Sequence, residues 1–233
     1  MDDSKNIKSQ VSIIVPVYNE KKILSQNYMN WYKLSQVTEL IFVDGGSTDK
    51  STEIEEKLGK TIKCRKMRSL QMNKGAHLAS DSVLLFIHAN TKINPEVLPV
   101  ILKNIKKEQV IAGFFSIFLA NPNVIYCIID YLGTLRARST RIFYGDQGLF
   151  IEKERFLNLG DFPEVPIMED VLFSAKLKRL GKTIVLSNKI WISPRRWEHR
   201  GIVSTIITYL YLSTLFYLGF SLTRIRKIYE DLR

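Results

Sequence analysis

SVLLFIHANT, residues 82–91, sets five consecutive apolar residues, Val83 to Ile87, against an abrupt polar end. So short an apolar run between polar residues predicts a strand buried on both faces, as in a parallel sheet. Open parallel sheets take their ligands beyond the carboxyl ends of their strands. His88 and Asn90 fall there and, two residues apart on an extended chain, project to one side. That makes this stretch the expected floor of a site. Taken alone, the stretch is better explained by ordinary turn residues.

Upstream, residues 11–15 (VSIIV) predict a first buried strand, closed by Pro16, which cannot continue a central ladder. Tyr18, Asn19 and Glu20 follow, then a mostly polar helix to about residue 34. A second apolar strand, 40–43, runs into Asp44-Gly45-Gly46-Ser47-Thr48-Asp49. The glycines allow a tight turn with close ligand approach, and Ser47, Thr48 and Asp49 compete to cap the next helix. Strand, Gly-rich turn and helix start make an anion site. A third strand is expected at 61–66, before Arg68 and the segment Gln71-Met72-Asn73-Lys74-Gly75-Ala76. Downstream, Asn94-Pro95-Glu96 reads as a cap and first turn, and Val97, Leu98, Ile101, Leu102 and Ile105 form one helical face. Pro99 pushes the regular part of that helix toward itself. Residues 110–119 predict another strand. Repeated strand-then-helix units indicate a parallel α/β sheet with right-handed crossovers.

Beyond Asn121 the alternation becomes irregular. Tyr144-Gly145-Asp146-Gln147-Gly148 is a polar turn before the apolar Leu149-Phe150-Ile151. Glu169 and Asp170 open a helix with Lys178 and Arg179 in its last turn and Gly181 as its stop. Acids at a helix start stabilise it with no catalytic role. A strand near 183–186 follows, then Arg195-Arg196-Trp197-Glu198-His199-Arg200. Residues 201–223 carry no charge, a length able to span a bilayer. Interspersed Ser and Thr, an interrupting Gly219 and basic residues on both flanks instead favour a helix lying in the membrane interface. A helix packed on the domain or on a second subunit is the alternative.

The 233 residues, 45% hydrophobic and 24% charged, suffice for one globular domain with a C-terminal appendage. Cys64 and Cys127 form no metal or redox spacing, which fits a reducing compartment. The first ten residues lack the apolar core of a secretory signal. A net charge of +11 suits nucleic acid, an anionic membrane surface or a phosphorylated small molecule. With no zinc-finger spacing, RNP-like motif or recognition helix, nucleic acid is not expected as a partner.

VSIIVPVYNE, IFVDGGSTDKS, LQMNKGAHLAS, LLFIHANT, YGDQGLF, FPEVPIMEDVLFSAKLKRLG and SPRRWEHRG occur in that order. Together they resemble the family 2 glycosyltransferases of GT-A fold, and more narrowly a small bacterial group with GDQG and RRWE segments. The resemblance covers nearly all of residues 11–233. It implies an α/β, Rossmann-like, mostly parallel sheet flanked by helices, over residues 1–200. Residues 201–233 would be an apolar or amphipathic helical segment on a membrane.

The implied reaction is inverting transfer of a sugar, hexosyltransferase-type, from a nucleoside-diphosphate donor, with uridine the family's common base. The acceptor would be a hydroxyl on an amphiphilic or lipid-linked molecule at the cytoplasmic face of the membrane. On that resemblance Pro16, Tyr18, Glu20, Asp44, Gly45 and Ser47 hold the nucleotide. Arg68 and Lys74 face the diphosphate, with Gln71, Asn73, His88 and Ala89 on the donor side. Asp170 is the base, with Glu169 and Arg196 beside it. Gly145, Asp146, Gln147 and Trp197 border the acceptor. Arg195 and Arg196 would assist the leaving group, although the Arg/Trp cluster equally suits an interfacial anchor. Such chemistry needs a positioned base for a poor nucleophile and cationic help for the departing diphosphate.

The family's D-x-D-like metal position falls on His88 and Asn90, where an aspartate is usual at the second. A neutral amide is a poorer ligand than a carboxylate for Mg²⁺ or Mn²⁺, so weakened metal dependence is expected. A catalytically weakened GT-A domain that binds sugar nucleotides or membranes is the alternative. A nucleotidyltransferase lacks its Lys-containing phosphate loop at the first strand.

Overall fold

Apolar side chains alternating between two covered faces build the centre of the sheet. The computed structural model describes residues 9–121 and 123–231, without the side chains of Arg195, Arg196 and Asp231. In it β1 (Val11–Val17) is almost wholly buried. Its Ile13 and Val15 pack into one layer with Leu24, Trp31 and Ile101, and Ile14 packs into another with Met72, Ala76 and Phe173. The chain continues through α1 (Lys21–Gln26), α2 (Tyr28–Ser35), β2 (Glu39–Asp44), α3 (Thr52–Leu58), β3 (Lys60–Lys63), α4 (Arg68–Leu78) and β4 (Val83–Phe86). Then come β5 (Thr91–Lys92), α5 (Val97–Ile105), β6 (Val110–Leu119), α6 (Val124–Thr140), β7 (Leu149–Glu152), α7 (Lys153–Asn158) and α8 (Glu169–Leu180). The last elements are β8 (Lys182–Ile192), α9 (Arg195–Arg200), α10 (Ile202–Tyr217) and α11 (Leu222–Asp231).

The strands form one eight-stranded sheet in the order β3-β2-β1-β4-β7-β6-β8-β5. β7 runs against both β4 and β6, and β5 against β8; the other pairings are parallel. The mostly parallel α/β architecture expected from the sequence is therefore present. Because β7 is reversed, its first residue, Leu149, pairs with the last of β4, Phe86. The Gly145–Gln147 turn before it thus lands at the carboxyl edge.

Several boundaries differ from expectation for identifiable reasons. β1 continues through Pro16 to Val17. Ile14 accepts from the Ile87 N–H at 3.2 Å on the β4 side, and Pro16, two residues on, faces that side beyond the end of β4, where no ladder bond is lost. The helix expected to about residue 34 is two helices broken at Asn27, whose amide donates to the Ala89 carbonyl at 3.2 Å. Pro99 is the third residue of α5, which starts at Val97; first-turn N–H groups have no intrahelical partner to lose. β3 ends at Lys63 rather than 66, and β8 extends to Ile192 rather than 186. β4 ends at Phe86, so His88 to Asn90 lie in a turn, closed by Thr91 N–H donating to the His88 carbonyl at 3.0 Å. Strand alternation therefore does not set the directions of His88 and Asn90.

The stretch after Asn121, where the strand–helix alternation becomes irregular, holds the 17-residue helix α6. At the C-terminus, Gly219 with φ +79° separates α10 from α11. Leu212 and Leu215 of α10 pack with Ile225 of α11 and against Ile167 and Met168, just before α8. The helix pair is thus seated on the domain rather than free of it. Among the described residues no helix is long and apolar enough to cross a membrane.

Candidate active site

The carboxyl ends of β1 and β2 are locked together by backbone chemistry. The Val17 carbonyl accepts from Gly45 N–H and from the Gln71 amide, each at 2.8 Å, and the same amide reaches the Val43 carbonyl at 2.7 Å. A Cβ on Gly45 would lie 3.2 Å from Gln71 Nε2 and 3.3 Å from the Val17 carbonyl oxygen, so glycine lets the loops close. Asp44 ends β2 and is 1% exposed. Its Oδ1 accepts from Gly46 and Ser47 N–H, both at 2.8 Å. Its Oδ2 is buried with no partner among the described residues. A buried acceptor left unpaired costs about 1–3 kcal/mol, and a ligand N–H or O–H would relieve that cost. The 18–20 loop is laced to the same turn. Asn19 N–H donates to Ser47 Oγ at 2.8 Å, Glu20 N–H to Ser51 Oγ at 2.9 Å, and Lys21 N–H to Asp49 at 2.9 Å. Tyr18 is exposed, with the Lys66 ammonium 3.9 Å from its ring centre.

Next to it, beyond the ends of β1, β4 and β7, a small cleft opens at the same edge, lined by Pro16, Arg68, His88, Tyr144, Gly145 and Asp170 among others. Its enclosed part, about 30 Å³, has room for one or two waters, so a sugar must lie across its mouth. Asp170 is the second residue of α8. The residue before that helix, Met168, holds a left-handed φ of 65°, an uncommon state for a side chain of this size, and so sets the direction in which α8 departs. Asp170 Oδ2 accepts from Gly145 N–H at 2.5 Å and lies 3.6 Å from Arg68 Nη2. Its Oδ1 accepts from its neighbour Val171 at 2.8 Å. Burial pushes the Asp170 carboxyl up to about 6; Glu169 adds to the rise, while Arg68 and the two N–H donors restrain it. Burial alone would depress Arg68, but Glu169, in direct contact with Arg68 Nε, and Asp170 hold it well above its ordinary value. Tyr229 of α11 and Met168, which precedes α8, pack on the same apolar cluster, which brings the C-terminal helix toward this end of the site.

His88 approaches Gly145 so closely that a Cβ there would lie 2.7 Å from His88 Nε2 and 3.3 Å from Asp170 Oδ2. The structure thus brings Pro16, Arg68, His88, Gly145, Glu169 and Asp170 together. Asp44, Gly45, Ser47, Tyr18 and Glu20 lie at the β1–β2 end of the same edge, joined to the cleft by α4, which carries both Arg68 and Gln71. Other expected residues are engaged elsewhere. Asn73 makes a reciprocal pair with the Phe162 backbone at 2.9 and 3.1 Å. Lys74 donates to the Lys63 carbonyl at 2.7 Å on the exposed side. Ala89 is buried and Asn90 half-buried in the turn, and neither lines the cleft. Asp146 is exposed. Gln147 is buried, accepting from Arg136 at 3.2 Å. Trp197 packs near Tyr126 and Ile202 and 5.9 Å from the Tyr209 ring, away from the cleft. The side chains of Arg195 and Arg196 lie outside the described residues.

Sequence reasoning missed the brace behind the Gly145–Gln147 turn. Arg136 donates to the Ile142 carbonyl at 3.0 Å and stacks 4.1 Å over Tyr144, whose hydroxyl meets Ser213 at 3.3 Å. It also missed Glu55, fully buried on α3. Burial, then Asp44, Asp49 and Glu56, push its carboxyl up to about 8. A single glutamate within an acidic helix gave no signal that it faces inward. A larger open groove of about 730 Å³ around Gln10, Ser82 and Val83 lies at the amino ends of the parallel strands, the wrong edge for ligands of such sheets.

No three His, Cys, Asp or Glu side chains gather as a metal centre among the described residues. One imidazole and one amide, from His88 and Asn90, do not make a resident Mg²⁺ or Mn²⁺ site, since these ions want several oxygen ligands.

The sequence model described as Glycosyl transferase family 2 matches residues 12–151. No curated protein matches the chain in sequence. Among solved structures, a mannosyltransferase from Pyrobaculum calidifontis, in complex with GDP-Man and Mn²⁺, is similar with a TM-score of 0.65 at 18% identity. That alignment covers 95% of this chain and 68% of the other. S. aureus TarS residues 1–349 aligns with a TM-score of 0.62 at 21% identity, over 84% of this chain and 64% of that one. The TarS complex with UDP-GlcNAc aligns with a TM-score of 0.61 at 21% identity, over 78% and 58%. At these identities the likeness establishes the fold. The chain spans about two thirds of the length of the first two structures.

Proposed function

Because this chain belongs to the family 2 glycosyltransferases, we propose that it transfers a sugar with inversion from a nucleoside-diphosphate donor to a hydroxyl of an amphiphilic or lipid-linked acceptor. The observation that carries this reading is the gathering of Arg68, His88, Gly145 and Asp170 at the carboxyl edge that also holds the half-satisfied Asp44. Asp44 Oδ2 would accept a base N–H or ribose hydroxyl, satisfying an oxygen that has no partner among the described residues. Asp170 would take the acceptor's proton as the acceptor oxygen bonds to the anomeric carbon. The carbon–oxygen bond to the diphosphate breaks in the same step, and the nucleoside diphosphate leaves with the electron pair. A carboxyl raised to about 6 is a stronger base than ordinary aspartate yet still ionised at neutral pH. Gly145 N–H fixes one of its oxygens, and Arg68 supplies positive charge near the leaving group.

A divalent cation would be held chiefly by the donor's own diphosphate, whose charge it would offset, because His88 and Asn90 alone do not make a site for it. The proposed setting is the cytoplasmic face of a membrane, where residues 201–233 meet the lipid surface. Asn90 favours a second reading, a domain that binds sugar nucleotides without turning them over.

The test is incubation with a panel of UDP- and GDP-sugars, the nucleotide classes held by the neighbouring structures. Release of nucleoside diphosphate by the wild type and its loss in Asp170→Asn are expected. Tight binding with no release by the wild type would instead establish the second reading.

A further inference from the structure

α6 is built inside out. A surface helix normally turns its apolar stripe inward and its polar residues to water, but here Val124, Ile128, Tyr131, Leu132 and Leu135 are all exposed. They recur at helical spacing on one face. Asp130, the only charged residue between Val124 and Leu135, points inward, where both its oxygens accept from Leu119 N–H at 3.1 Å. Val124 is 71% exposed and Tyr131 67%, so the domain's own core does not explain the composition of this face.

α10 carries a second such face, with Val203, Ile207, Leu210, Tyr211 and Tyr217 exposed. The two helices are tied at both ends. Near their starts, Tyr126 and Ile129 of α6 pack with Trp197 and Ile202. Further along, Arg136 of α6 stacks on Tyr144, and Tyr144 bonds to Ser213 of α10. Tyr144 also lines the cleft.

Charge selects what covers these faces. Exposed Arg138 and Arg141 end α6, and exposed Arg224 and Lys227 follow α10. Between Gly201 and Tyr229 no acidic residue occurs. A second copy seated face to face would bring two such basic rims together. An anionic bilayer neutralises them, and exposed tyrosines sit well at headgroup depth. We propose that the outward faces of α6 and α10 form one docking surface for an anionic lipid bilayer beside the mouth of the cleft. This deepens the proposed function, on which it rests for the claim that the acceptor is lipid-borne; the binding itself needs no sugar donor.

The test is sedimentation of the full chain with vesicles of phosphatidylcholine alone or mixed with phosphatidylglycerol, without nucleotide. The wild type should bind the mixed vesicles and weaken with salt. Ile128→Glu/Leu132→Glu should lower partitioning by at least about tenfold, and Arg138→Ser/Arg141→Ser by about fivefold per charge. All three proteins should keep one thermal melt and one rate of donor hydrolysis in solution. The proposal is overturned by equal binding of the wild type and the α6 variants, by no binding at all, or by a wild-type dimer that the glutamates split into vesicle-indifferent monomers. If instead donor hydrolysis is absent while vesicle binding follows this pattern, the sugar-transfer reading fails and the docking surface stands.

Discussion

Replacing Glu55 with glutamine should remove a pH-dependent cost from folding. Glu55 is fully buried, and neither carboxyl oxygen finds a partner among the described residues. Burial, reinforced by Asp44, Asp49 and Glu56, raises its pKa from 4.5 to about 8. Above pH 4.5 the unfolded chain has given up this proton while the native chain keeps it, so stability falls as pH rises and levels off above about 8. Between pH 6 and 9 the native group passes from protonated to ionised, and about two pH units of that descent are covered. At 1.36 kcal/mol per unit the loss is about 3 kcal/mol. Glutamine has the same shape and no titration, so every other group's contribution cancels in the difference between the two proteins. Urea melts at pH 6, 7.5 and 9 should show the wild type losing about 3 kcal/mol relative to Glu55→Gln. If the two stabilities run parallel across that range, the carboxyl is not held uncharged behind the Asp44 turn and the reasoning fails.

Nucleoside diphosphate release by the wild type should rise with pH through about 6, where Asp170 loses its proton and becomes able to accept one. Asp170→Asn should lower that rate by about 10²–10⁴-fold while donor binding, measured by calorimetry, survives. Asn90→Asp should tighten Mn²⁺ dependence, seen as a lower metal concentration for half-maximal release; no response to Mn²⁺ in either protein would remove this position from metal binding. In Gly145→Ala the added carbon would sit 2.7 Å from His88 Nε2. Release should fall at least about tenfold through misplacement of the Gly145 N–H that donates to Asp170, while the melting temperature stays close to wild type. Wild-type kinetics in that variant would show that His88 and Gly145 are not held in register by the reaction.

How much of this was legible in the chain depended on which way side chains face. Val83 to Phe86 and Val11 to Val15 are buried on both faces, so apolar runs, interrupted only by Ser12, announced them. Asp44, at the end of such a run, could be placed at the site edge without coordinates. α6 was illegible because most of its large apolar residues point to solvent and its aspartate points in, the reverse of the pattern that marks a globular helix. The pairing of Arg68 with Glu169 spans 101 residues, and no local spacing encodes it. Gln71 and Asn73 lie in a recognisable segment, yet the same amide chemistry serves a ligand or a neighbouring carbonyl equally well. Only packing reveals that Gln71 joins β1 to β2 and Asn73 grips the Phe162 backbone.

A crystal structure with UDP and Mn²⁺ bound tests the central claim most directly. The account predicts the uracil or ribose edge hydrogen-bonded to Asp44 Oδ2 and the diphosphate running along the carboxyl edge toward His88 and Arg68, within reach of the mouth above Asp170. A nucleotide lodged in the groove by Gln10 and Ser82, or one that leaves Asp44 untouched, would contradict it.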